Sequence, residues 1–100
     1  MPMKKYAGQT REAAEMLAIQ ALVFIAEEPE RMAAFVSVTG MEADAIRNAA
    51  RSPDFLVGVL EHMLGDESLL MAFADSAGID PAGLARARNA LGRSRERDLP

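Results

Sequence analysis

The chain has no cysteine and no tryptophan, a single tyrosine and a single histidine. Without cysteine there is no disulfide, no thiolate metal site and no cysteine nucleophile. A metal or general-base role for His62 would have to recruit carboxylates. Those nearest in sequence, Glu61, Asp66 and Glu67, show no ligand spacing. A glycine-rich phosphate loop is also missing, because Gly40, Gly65, Gly78 and Gly92 are scattered, each at an expected helix end. Ser37, Ser52, Ser68 and Ser76 lie in no nucleophile-elbow context. Nowhere do apolar and polar residues alternate long enough for a strand. The longest apolar stretch, Met16 to Ala26, is broken by Gln20 and falls well short of the roughly 20 residues of a membrane span. Lys4 and Lys5 are followed by Arg11, Glu12 and Glu15 before any apolar run, which does not fit a signal peptide. These absences lead us to expect a soluble, cytoplasmic chain that is not an enzyme and holds no metal or cofactor.

What is present is apolar mass. Half of the 100 residues are hydrophobic, enough for a single small domain with one core. The formal charge of −4 conceals an uneven distribution. Residues 12–80 carry 13 acids against 3 bases, whereas Lys4, Lys5 and Arg11 precede them and five arginines follow. An acidic body repels phosphate backbones, so broad nucleic-acid binding is not expected. The basic ends read as solvated tails.

The sequence also nearly repeats itself. A shift of 38 positions lays Phe35 on Phe73, Gly40 on Gly78, Glu42 on Asp80 and Ile46 on Leu84. The same shift lays Leu17 on Phe55, Leu22 on Leu60, Phe24 on His62 and Ile25 on Met63. A fixed period of this size marks a repeated helical unit. Tetratricopeptide units have a similar period, but their tryptophan and tyrosine signature is missing here. Two units are too few for an open solenoid, so they are expected to close on each other.

Local signals place the helices. Thr10 is suited to cap a first helix running to about Glu28. Pro29 with Glu30 opens a second, closed at Gly40, and a short third spans roughly 43–50. Ser52-Pro53-Asp54 opens a fourth, in which Gly58 suggests close approach of another helix. Asp66 caps a fifth that stops at Gly78, and Asp80-Pro81 starts a sixth that ends near Leu91-Gly92. The expected fold is all-α: a compact five- to six-helix bundle built from two tandem copies of a ~38-residue unit, with the first and fourth helices at its centre. Residues 1–9 and 93–100 are expected to be flexible tails around a helical domain at 10–92.

Two surfaces could carry function. The first helix is apolar nearly all round, and a helix of that kind is buried centrally or covered by a partner. Seven methionines add adaptable apolar surface. Met16, Ile19, Val23 and Met63 are therefore the candidate contact residues, for an unknown protein partner or for a second copy of the chain. The alternative is a DNA-binding helix-turn-helix, suggested by the spacing of Ala74, Gly78 and Leu84. It would use Arg86, Arg88 and Arg93, although the first turn of its second helix, Pro81-Ala82-Gly83, offers no side chain that reads a base.

Leu17-Ala18-Ile19-Gln20-Ala21-Leu22, Pro29-Glu30 with Phe35, Thr39-Gly40, and Phe73 through Ala77-Gly78-Ile79-Asp80-Pro81 resemble the bacterial domain of unknown function 3572. The likeness covers about residues 12–91. It implies a small stand-alone helical protein of the bacterial cytoplasm. That family has no established activity, so the resemblance assigns no catalytic or binding residue.

Overall fold

Thr10 caps the first helix. Its hydroxyl oxygen accepts a hydrogen bond from the Ala13 amide at 3.0 Å, satisfying one of the donors a helix start leaves open. The computed structural model describes residues 10–49 and 52–97, with side chains as far as Gly92 except that of Ala43. Six helices follow in order: α1 Arg11–Ala26, α2 Pro29–Thr39, α3 Ala43–Ala49, α4 Pro53–Leu64, α5 Glu67–Ala77 and α6 Ala82–Arg97. No strand occurs among the described residues.

Most helix boundaries have a local cause. Asp66 Oδ1 accepts from the Leu69 amide at the start of α5, and Asp80 Oδ1 accepts from the Ala82 amide at the start of α6. Gly40 and Gly78 close α2 and α5 in the left-handed region, at φ 72° and 68°, where a Cβ is unfavourable. Gly65 closes α4 in the ordinary right-handed region, so it has no such conformational need. Ser52 stands at the N-cap of α4, but its hydroxyl makes no capping bond there.

Several sequence expectations change. Gly58 is not a point of close helix approach: a Cβ built on it would meet nothing within 4 Å outside its own helix. The sixth helix does not stop at Leu91-Gly92 but continues to Arg97. A glycine inside a helix costs only about 1 kcal/mol, and the arginines around it are good helix formers. The expected tail at 93–100 is therefore helical in its first part. Residues 1–9 and 98–100 lie outside the described residues. Met63 is fully buried and belongs to the core, so it is removed from the candidate surface.

The core is a triangle of helices. The helices α1, α4 and α6 pack on one another, α2 packs on α1, and α5 packs on α4. The centre is therefore three helices rather than the expected two, because the long α6 inserts against both α1 and α4. Its Leu84, Ala87 and Leu91 are wholly buried there, together with Leu56, Val59, Leu60 and Met63 of α4. Each large apolar side chain withdrawn from water in this way contributes about 1.5–3 kcal/mol.

Aromatic contacts fix the outer helices. Phe35 of α2 is fully buried and meets His62 of α4 edge-on, with ring centroids 5.1 Å apart. Phe55, also of α4, meets Phe35 at 6.0 Å. Phe73 of α5 meets Phe24 of α1 at 5.4 Å. The pairs Phe35–His62 and Phe24–Phe73 are reciprocal under the 38-residue shift, which carries Phe35 to Phe73 and Phe24 to His62. Helix lengths agree in part: α2 and α5 each have 11 residues, while α3 has 7 and α6 has 16.

Candidate interaction surface on the first helix

The face that α1 turns inward centres on three alanines and Ile25, with Leu17, Leu22 and Phe24 packed against the core at its edges. Ala14, Ala18, Ala21 and Ile25 are all at 0% exposure. They recur at steps of four, three and four, the spacing of one helix face. Alanine lets neighbouring backbones come close, and α4 and α6 take that space. The opposite face also holds large residues. Met16 is 62% exposed, Ile19 43% and Val23 51%. Ala26 continues the line and is exposed too. An ordinary amphipathic surface helix turns polar residues outward, whereas here large apolar ones stand on the outer face as well.

The smallest extent of the molecule is 19 Å, about two helix diameters. Beside Met16, a shallow groove of about 370 Å³ runs between α1 and the start of α6, where Ala13, Gln20 and Arg86 line it. A second groove continues along the same flank of α1, with Gln20, Val23, Glu27 and Phe73 among its walls. The flank thus carries Arg86 near the start of α1, beside Asp80 that caps α6, and Glu27 near its end.

Arg31 fixes the end of α1. Its guanidinium lies 3.9 Å over the centre of the Phe24 ring, and its Nη1 donates to the Phe24 carbonyl at 3.1 Å. A cation at this end suits the helix dipole, which α1 does not satisfy with a basic residue of its own. Phe24 is therefore held between Arg31 and Phe73, so the adjoining exposed stripe stands on a fixed helix.

The other candidate residues scatter. Arg88 Nη1 lies 3.6 Å from Glu61 Oε2 of α4, while Arg86 turns toward α1. The two arginines do not share a surface. The side chain of Arg93 lies outside the described residues. Ala74 and Leu84, expected as corner residues of a helix-turn-helix, are buried, which the tight corner at Gly78 itself requires. His62 is half-buried on Phe35, with Glu61, Asp66 and Glu67 on the rim of an open depression. Among the described residues no group of three or more histidines, aspartates and glutamates is placed to hold a metal ion. No described helix is long and apolar enough to cross a membrane.

The sequence reading missed Ala26 as the end of the stripe, and Val38 and Met71 as exposed apolar residues at 72% and 49%. The alanines at 14, 18 and 21 were the available signal, because three small residues on one face mark the side a neighbour approaches.

Geometry and contacts define an all-helical domain that carries an uncovered apolar stripe on one helix. Comparison with known proteins supplies its family: the profile described as protein of unknown function (DUF3572) matches residues 11–94, and the chain belongs to that family. No curated protein and no solved structure matches the chain.

Proposed function

We propose that this protein is a non-enzymatic helical interaction module, docking through the outer face of α1. One observation carries the reading: with Ala14, Ala18, Ala21 and Ile25 buried, α1 still leaves Met16, Ile19 and Val23 in solvent. Keeping apolar side chains in water contributes nothing to folding, and a contiguous stripe of them is the usual mark of a contact surface. The surroundings of His62 support the non-enzymatic part. Its ring packs on Phe35, and Asp66 beside it is engaged as a helix cap. The cytoplasmic bacterial setting belongs to the same reading and rests on the family resemblance.

A tandem origin for the domain is also part of this reading. Its support is the reciprocal Phe35–His62 and Phe24–Phe73 contacts and the matching left-handed glycines. The DNA-binding alternative has less behind it, because Arg88 is engaged by Glu61 and Arg86 faces α1.

The test is a pair of charge substitutions on the stripe, Ile19→Glu and Val23→Glu. Both sites are open to solvent, so helix content and melting temperature should stay near those of the parent, within about 0.5 kcal/mol. Retention of a partner on the immobilised chain should drop for both variants and not for Glu42→Gln on the exposed α2–α3 link. Equal retention by all four proteins would overturn the proposal.

A further inference from the structure

We infer that the occupant of the α1 stripe is α1 of a second copy of this chain, packed antiparallel. This rests on the reading of that face as a contact surface and adds the partner and its register. Met16, Ile19, Val23 and Ala26 follow one another at steps of three, four and three, the repeat of a coiled-coil seam. All four are exposed, and the seam spans three turns, roughly 15 Å. Two such seams running in opposite directions match by size. Met16 of one copy meets Ala26 of the other, and Ile19 meets Val23, so a large residue always faces a smaller one.

Charge selects the direction. Arg86 stands beside the first half of α1, where the neighbouring Asp80 carboxylate is engaged as the cap of α6, and Glu27 lines the same flank at its end. When two helices pack antiparallel, like flanks face each other. Arg86 of each copy then approaches Glu27 of the other, and the contact is made twice. A parallel pair would instead set Glu12 against Glu12 at the head of the seam. Its one opposite-charge approach, Arg86 toward Glu15, would gain less, because Arg11 already pairs with that carboxylate at 3.2 Å.

The 38-residue offset in the sequence bears on the reading of this face as a contact surface. It carries Met16 to Asp54 and Val23 to Glu61, both exposed and charged, and Ile19 to Val57, which is buried. At the counterpart positions of α4, the exposed sites are polar and the apolar site is covered. In α1, all three sites are apolar and all three are open.

The absence of cysteine makes the test clean. Met16→Cys and Ala26→Cys are prepared as separate full-length proteins. Under mild oxidation their mixture should form a disulfide dimer, while each alone stays unlinked. Two copies of residue 16 would lie about 15 Å apart along an antiparallel pair, beyond disulfide reach. Light scattering of the parent should show the mass rising from 10.8 kDa toward twice that value between micromolar and near-millimolar concentration. Ile19→Glu should raise the dissociation constant at least about tenfold.

Crosslinking of either cysteine variant with itself, and not of the mixture, would overturn the antiparallel register. A mass fixed at the monomer value throughout would overturn self-pairing. In that case, capture of a different protein that Ile19→Glu abolishes leaves the contact-surface reading standing. Capture unaffected by Ile19→Glu overturns both.

Discussion

Gly58 and Gly78 are the same residue type with opposite requirements. Gly78 sits at φ 68°, and its amide donates to the carbonyl of Asp75 at the close of α5. A side chain there costs roughly 1–2 kcal/mol in the left-handed region, so Gly78→Ala should lower stability by about that amount. Gly58 is helical and half-buried, with open space where a Cβ would stand. Gly58→Ala should therefore raise stability by about 0.4–1 kcal/mol, through helix propensity and a less flexible unfolded chain. Urea melts of the two variants give the comparison. A loss of stability in Gly58→Ala would mean that the space beside α4 is filled.

At the scale of one helix, α1 has two apolar faces that do different things. The inner face is sensitive to volume: Ala18 is fully buried where α4 and α6 approach. Ala18→Leu adds three carbons to a filled space and should cost about 1–3 kcal/mol. Ile19→Gln, one position along, removes only a solvated side chain and should change monomer stability by less than about 0.5 kcal/mol. Thermal melts at low concentration, where any self-association is absent, separate the two. Similar losses in both would mean that the outer face is covered by its own chain.

That contrast also explains what the sequence could convey. Capping is local chemistry, so Thr10, Asp66 and the glycines at 40 and 78 marked their boundaries without any knowledge of packing. The all-α fold was readable for the same reason. The inward side of α1 was not readable from hydrophobicity, because an all-round apolar helix has no preferred face on that measure. Met63 and Met16 therefore seemed alike, though one is fully buried and the other largely exposed. The end of α6 escaped for a different reason. Gly92 resembles the terminators at 40 and 78, but it sits mid-helix and the helical backbone continues through it.

At the scale of the molecule, the two halves of the sequence do not fold as neighbours but through each other. Residues before position 50 supply α1, α2 and α3, and those after it supply α4, α5 and α6. The alanine face of α1 is buried in a core completed by α4 and α6, and Phe35 of α2 reaches Phe55 and His62 across the divide. Within the first half the notable helix contact is α1 with α2, and isolated helices of 16 and 11 residues are marginal in water. A chain of residues 1–50 should therefore show little helix by circular dichroism. Residues 51–100 keep the α4–α6 contact and should retain some helix, with much of the core exposed. Mixed in equal amounts, the fragments should give more helix than the sum of their separate spectra, with a melting transition neither shows alone. A spectrum equal to that sum would mean that each half is self-sufficient, and the interlocked core of α1, α4 and α6 would then not be what holds this fold together.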